Sequence, residues 1–339
     1  MVVKVAINGY GTIGKRVARA AALQPDMVVV GVVKNRPNWE ALSAYRLGFP
    51  LYVPEDRVEA FEKAGMRVEG TLEELLQKVD VVVDATPGGV GAKYKSLYER
   101  AGVKAVFQGG ENSSVAEVSF NALANYDAAV GKRFVRVVSC NTTGLIRLIV
   151  AMRELGRVRS VRAVLVRRGA DTKEVKKGPI EGLILKPAKP PSHHAEDVKT
   201  VIGDIDVLTY AVVAPTTLAH MHLVRFELEE PVTREDVIRA LETTPRIMLV
   251  KASLLSSTAE LREAFRDSGR PLGDIYENAV WEDSVWVSGG EVWVAQAVHQ
   301  EAIVVPENID AIRAVMGVSD KESSIKITNE TLGIRGWFA

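Results

Sequence analysis

The sequence predicts an α/β protein in two parts. A doubly wound parallel sheet covered by helices is followed by a second α+β domain containing a mixed or antiparallel sheet. Three observations carry this reading. Short unbroken apolar runs alternate with helical spacing over residues 1–138, a glycine turn follows the first of those runs, and beyond residue 139 the apolar runs lengthen. A chain of 339 residues is also more than twice an ordinary ~150-residue domain.

Taken in order, Val2 to Ile7 is a β-branched run closed by Asn8-Gly9, after which Thr12 to Leu23 takes helical spacing. Val28 to Val33, Val79 to Asp84 and Ala105 to Phe107 are further apolar runs, with helical stretches at Leu72 to Gln77 and Ala92 to Arg100. Continuous rather than alternating runs belong to strands buried on both faces, as in a parallel sheet. Residues 1–138 therefore read as a Rossmann-type dinucleotide-binding domain, completed by the C-terminal region 301–339, where Pro306 to Met316 reads as a helix with proline in its first turn. Residues 139–300 read as a catalytic domain. Asn141 to Leu155 predicts a helix, Val161 to Val166 a strand, Thr172 to Pro191 a polar Lys, Gly and Pro-rich stretch, and Val207 to Val213 and His220 to Leu228 two longer strands. A helix at Arg234 to Leu241 follows Thr233, a good N-cap.

Composition excludes several classes of function. Lys plus Arg and Asp plus Glu both number 43, so the zero net charge leaves no footprint for nucleic acid or an anionic membrane. The longest apolar run, Met27 to Val33, is far below the ~20 residues needed to cross a bilayer. The single cysteine, Cys140, forms no intrachain disulfide, and the start MVVKVAINGYG lacks a secretory signal, so a reducing cytoplasm is expected.

Five groups of residues carry chemistry. Gly9-Tyr10-Gly11-Thr12-Ile13-Gly14 is a G-x-G-x-x-G turn between a strand and a helix, where glycines let the backbone approach a pyrophosphate and free N–H groups bind it. After the second strand, where an NAD site usually places a carboxylate for the ribose, the chain reads Lys34-Asn35-Arg36-Pro37. With no acid in that turn, a cationic site for a 2′-phosphate is expected, so NADP is preferred and NAD tolerated. Cys140, at the mouth of a helix between Ser139 and Asn141-Thr142, is a candidate nucleophile, because a helix N-terminus favours the thiolate. His193-His194 and His220-Met221-His222 supply a general base for it and anion-binding groups, and Arg167-Arg168 could bind phosphate by guanidinium forks. No metal is expected, since no carboxylate stands at a recognisable ligand spacing from these histidines.

With these residues in view, the sequence resembles the archaeal type of phosphorylating glyceraldehyde-3-phosphate dehydrogenase. NGYGTIGKRV, KNRP, DATPGGVGAKYK, FQGGE, SCNTTGL, RRGAD, HHAEDV, PTTLAHMH and KITNETLGI carry the resemblance over almost the whole chain. It implies oxidation of glyceraldehyde 3-phosphate with inorganic phosphate to 1,3-bisphosphoglycerate, in a homotetramer working in glycolysis or gluconeogenesis. It also implies that Cys140 forms a thiohemiacetal and then a thioester, with His220 as base and His222 second. By the same resemblance Thr12, Ile13, Gly110, Arg168 and Gln300 look like cofactor contacts. Ser139, Asn141, Thr142, Arg167, His193 and His194 look like contacts to substrate or phosphate. Two rival readings stand beside this one: another semialdehyde or acyl-phosphate dehydrogenase, such as the aspartate-semialdehyde type, and a non-catalytic NADP-binding sensor.

Overall fold

The computed structural model describes residues 2–108, 110–170, 178–217, 219–270 and 272–335. The chain folds into two compact units, one formed by Met1–Ser139 with Val305–Leu332, the other built on Cys140–Val304.

The first unit holds strands β1 (Val3–Asn8), β2 (Met27–Val33), β3 (Leu51–Val53), β4 (Gly70–Thr71), β5 (Val81–Asp84), β6 (Lys104–Phe107), β7 (Val118–Phe120) and β8 (Phe134–Val137). They pair in the order β4-β3-β2-β1-β5-β6-β8-β7, every pair parallel. Helices α1 (Gly14–Ala22), α2 (Trp39–Arg46), α3 (Val58–Lys63), α4 (Leu72–Leu76), α5 (Gly91–Ala101) and α6 (Ala122–Asn125) form the crossovers and covers. Val81, Val82 and Val83 are fully buried in mid-sheet, each gaining about 1.5–3 kcal/mol from leaving water. That unbroken burial is why these strands read as continuous apolar runs.

The second unit opens with α7 (Cys140–Arg153) and then β9 (Val158–Arg168), β10 (Ile184–Leu185), α8 (His193–Ile202), β11 (Asp206–Ala214) and β12 (His220–Leu228). It continues through α9 (Arg234–Thr243), β13 (Ile247–Val250), α10 (Thr258–Asp267), β14 (Asn278–Trp281), β15 (Trp286–Ser288) and β16 (Glu291–Val298). The sheet order is β10-β11-β9-β12-β16-β14-β13, with β15 paired to β16. It is mixed: β9–β11 and β13–β14 run parallel, and the remaining pairs antiparallel. The polar stretch expected at Thr172 to Pro191 lies in part outside the described residues, and its described part carries β10.

The chain ends in α11 (Val305–Met316) and α12 (Lys321–Thr331), which belong to the first unit. α11 is buried on every side, so its polar residues carry specific partners. Arg313 binds both oxygens of Asp26 at 2.8 Å and also Gln24 and Thr328 at 2.7 Å, while Asp310 accepts from Ser324 and Thr328.

Candidate active site

In the first unit, β1 ends at Asn8 and the chain turns through Gly9, whose φ of +100° suits glycine. A Cβ on Gly9 would lie 2.7 Å from the Ala85 carbonyl carbon, and one on Gly14 would lie 2.1 Å from the Gly9 oxygen. The N–H groups of Gly9 and Tyr10 donate to the Val33 carbonyl, and that of Gly11 to the Gly9 carbonyl. α1 then starts with Ile13 at its N-cap, no side-chain cap and no acid in its first turn. Thr12, Ile13 and Gly14 thus form a positive helix end without a capping side chain, at a turn stripped of side chains, which fits a dinucleotide pyrophosphate. Gly110 is exposed, and its carbonyl lies where a Cβ on Gly88 would come within 2.5 Å.

The cationic turn differs from its sequence reading. Lys34 donates to the Tyr10 carbonyl at 3.1 Å and forms a 2.5 Å ion pair with Glu40, a buried residue in the first turn of α2. A carboxylate is therefore present after the second strand, brought there by helix geometry, and it neutralises much of the Lys34 charge. Asn38 caps α2 by accepting the N–H groups of Glu40 and Ala41, and so sets Glu40 beside this turn. Asn35 and Arg36 remain exposed.

In the second unit, Cys140 is the first residue of α7 and is half-buried. Its Sγ lies 3.5 Å from Nε2 of His220, the first residue of β12. Burial around the sulfur pushes the thiol up to about 11, against the pull of Arg167, Arg168 and the backbone N–H groups at the helix start. The helix end pulls toward the thiolate as expected, and desolvation of the charged form opposes it. His220 is 1% exposed, and burial, then His222, Arg167, Arg168 and His194, hold it well below the usual histidine range. Its Nδ1 accepts the backbone N–H of Arg168 at 2.9 Å.

His222 shares a face of β12 with His220, ring centroids 6.4 Å apart, but its partners are different. A buried chain of hydrogen bonds runs through it with every direction fixed. Asn278 Nδ2 donates to Gln296 Oε1 at 2.7 Å, and Gln296 Nε2 donates to His222 Nδ1 at 3.1 Å. His222 Nε2–H then donates to Asn141 Oδ1 at 2.9 Å, and Asn141 Nδ2 to His194 Nε2 at 3.2 Å. His194 Nδ1–H donates to Ser192 Oγ at 2.9 Å, and Ser192 to Thr209 Oγ1 at 2.6 Å. Burial lowers His222 to about 3 and His194 to about 2, so both are neutral. Thr142 donates to Asp197 at 2.6 Å.

Asn141, Thr142 and His194, expected to touch substrate or phosphate, therefore turn their polar groups into the protein and support the cysteine helix from behind. Gln296, Asn278, Ser192, Thr209 and Asp197, which sequence reasoning missed, complete that support. They carried no spacing signal, because strands and a helix distant in sequence bring them together.

The remaining candidates differ in what they offer. His193 is exposed, stacked at 3.9 Å on His194, and lowered by burial and then by Arg167. Arg167 acts electrostatically on Cys140, His193, His194, His220 and His222, making it the common cation of this cluster. Arg168 turns its guanidinium to Gln300 and to the Ala170 carbonyl. Ser139 closes the first unit. Among the described residues, no three His, Cys, Asp or Glu side chains converge as metal ligands would.

A thiol, an adjacent imidazole and a local cation thus meet at the start of α7. The chain is 57% identical over 333 residues to glyceraldehyde-3-phosphate dehydrogenase of Metallosphaera sedula, covering 98% of each. It is 59% identical to that of Hyperthermus butylicus and 55% identical to that of Sulfurisphaera tokodaii, each over 98% of this chain and 97% of the relative. The chain belongs to the glyceraldehyde-3-phosphate dehydrogenase family. The family model for the glyceraldehyde 3-phosphate dehydrogenase C-terminal domain matches residues 139–263, and that for the dihydrodipicolinate reductase N-terminus matches residues 3–119. A crystal structure of aspartate semialdehyde dehydrogenase II from Vibrio cholerae complexed with ASA superposes with a TM-score of 0.65 at 13% identity, over 93% of this chain and 97% of that one. The two-domain fold is thus shared beyond the family.

Proposed function

We propose that this glyceraldehyde-3-phosphate dehydrogenase family member oxidises D-glyceraldehyde 3-phosphate with inorganic phosphate and a nicotinamide cofactor, giving 1,3-bisphosphoglycerate. The observation that carries the reading is Cys140 Sγ at 3.5 Å from His220 Nε2, at a helix start under the field of Arg167. Cys140 attacks the aldehyde carbon, and His220 works on the substrate oxygen. Backbone N–H groups at the start of α7 help hold that oxygen, since the Asn141 amide is occupied elsewhere. The bound cofactor supplies the hydride acceptor. The thioester left on Cys140 keeps the oxidation energy until phosphate attacks it. Arg167 and the exposed His193 are the best candidates for the phosphate groups.

The first unit would hold the cofactor on Gly9, Gly11, Thr12, Ile13, Gly14 and Gly110. We place the 2′-phosphate of NADP at the Lys34-Asn35-Arg36 turn, with NAD also accepted. The Lys34–Glu40 pair tempers that preference, since Glu40 would repel the added phosphate. A homotetramer agrees with an exposed apolar row across the second sheet. Tyr210, Val164 and Leu223 are register neighbours along it, 41%, 37% and 41% exposed.

Formation of reduced cofactor from glyceraldehyde 3-phosphate, followed by absorbance, should require phosphate or arsenate. Turnover indifferent to both would remove the phosphorylating reading. Cys140→Ser should abolish this turnover while cofactor binding survives, the opposite of what a non-catalytic sensor requires.

A further inference from the structure

The hydrogen bonds behind α7 all run one way, because both ends of the chain are closed by groups with a single hydrogen-bonding role. At one end the Arg147 guanidinium, which can only donate, meets Asn278 Oδ1 at 3.4 Å, and the Gly144 carbonyl, which can only accept, takes Asn278 Nδ2 at 2.8 Å. The other hydrogen on Asn278 Nδ2 goes to Gln296 Oε1 at 2.7 Å. The Gln296 amide is thereby turned with Nε2 toward the Gly144 carbonyl at 3.2 Å and His222 Nδ1 at 3.1 Å. Burial keeps His222 neutral, so its one proton stands on Nε2 and goes to Asn141 Oδ1. At the far end Thr209 Oγ1 donates to the Ser192 carbonyl at 3.2 Å, which leaves it to accept from Ser192 Oγ. Ser192 Oγ then accepts from His194 Nδ1–H, and His194 Nε2 is left to accept from Asn141 Nδ2. The two directions meet at Asn141 and agree there.

Asn141 follows Cys140 in the first turn of α7, and its backbone N–H acts on the sulfur in favour of the thiolate. Its carboxamide is gripped from two sides, by His222 on β12 and by His194 on α8. β16 comes close enough to take part because residue 144 is glycine: a Cβ there would lie 2.7 Å from Val298 Cγ2 and 3.3 Å from Gln296 Nε2.

We infer that Gln296 is a positioning residue for the reaction: by donating to His222 Nδ1 it fixes the tautomer that pins the Asn141 carboxamide, and so aims the Asn141 backbone N–H at the Cys140 sulfur. Without a donor at position 296 both tautomers of His222 are open. In the one protonated on Nδ1, a nitrogen lone pair faces Asn141 Oδ1 in a dry site, and the first turn of α7 loses its hold. Only the bearing on turnover rests on the reading of Cys140 as nucleophile; hydrogen-bond direction and thiol reactivity belong to the resting protein.

Two measurements without substrate test this. In the full-length protein carrying 15N-labelled histidine, nitrogen shifts at neutral pH should show His222 protonated on Nε2 and His194 on Nδ1. The opposite tautomer in either ring would overturn the inference, with no variant needed. Iodoacetamide alkylates Cys140, the single cysteine, and below the ionisation of the thiol its rate follows the thiolate fraction. Gln296→Met removes the donor at similar length and should slow alkylation by about three- to tenfold at fixed pH, the size of one weakened hydrogen bond. Added to Asn141→Ala, it should slow the reaction no further, because both act on the same turn. An unchanged rate in Gln296→Met, or equal losses in the two backgrounds, would reduce Gln296 to a packing residue. Neither readout uses turnover, so failure of the proposed reaction would leave both results standing.

Discussion

At the scale of single residues, buried histidines matter for stability as well as for the site. His194 and His222 titrate at about 2 and about 3 in the folded protein, against ~6.5 in an unfolded chain. Below pH ~6.5 the unfolded chain therefore binds more protons than the folded one, and stability must fall as pH drops, by about 1.4 kcal/mol per pH unit for each such histidine. Denaturant midpoints at pH 7.5 and 5.0 should differ accordingly, and His222→Asn should shrink the difference. Equal midpoints in the wild type would contradict the neutral buried pair. The position of Cys140 was legible at this scale, because a thiol between the polar Ser139 and Asn141 follows a strand and opens a helix. Its protonation was not legible, because desolvation depends on neighbours the sequence does not rank. Lys34 shows the same limit: the turn looked free of acid until α2 brought Glu40 against it.

At the scale of elements, α11 is held by ionic and hydrogen-bonded contacts as much as by apolar ones. Arg313 is fully buried against Asp26, Gln24 and Thr328. Arg313→Met should cost about 3–5 kcal/mol in chemical denaturation near pH 7, because it strands a carboxylate and an amide. Burial alone would raise the Asp26 carboxyl, but the hydrogen bonds and charge of Arg313 bring it below its ordinary value. A depressed carboxylate stabilises the fold above its unfolded value of ~3.9 and loses that contribution as pH falls through the folded one, so wild type and variant should converge below pH ~4. A variant as stable as wild type at pH 7 would mean that water replaces the arginine. The long strands and capped helices were readable from sequence, α9 above all, since Thr233 and Asp236 form a capping box. Strands of two or three residues such as β3, β4 and β7 were not, because periodicity needs more positions than they contain. α8 was hidden too, as a Pro-rich segment precedes it and its apolar positions are few.

For the whole molecule, the exposed row Tyr210–Val164–Leu223 predicts association of copies through the second sheet. Leu223→Arg should reduce the mass measured by light scattering at micromolar concentration, and an unchanged mass would place the interface elsewhere. The sequence by itself determined the order of the two sheets, the glycine turn after β1, the place of the lone thiol at a helix start and the family, because these rest on short local patterns and on spacing along the chain. Only the tertiary structure decided which histidine meets the sulfur and which polar residues stand behind it. Those facts depend on strand register between β9 and β12 and on burial, and both arise from contacts between residues far apart in the chain.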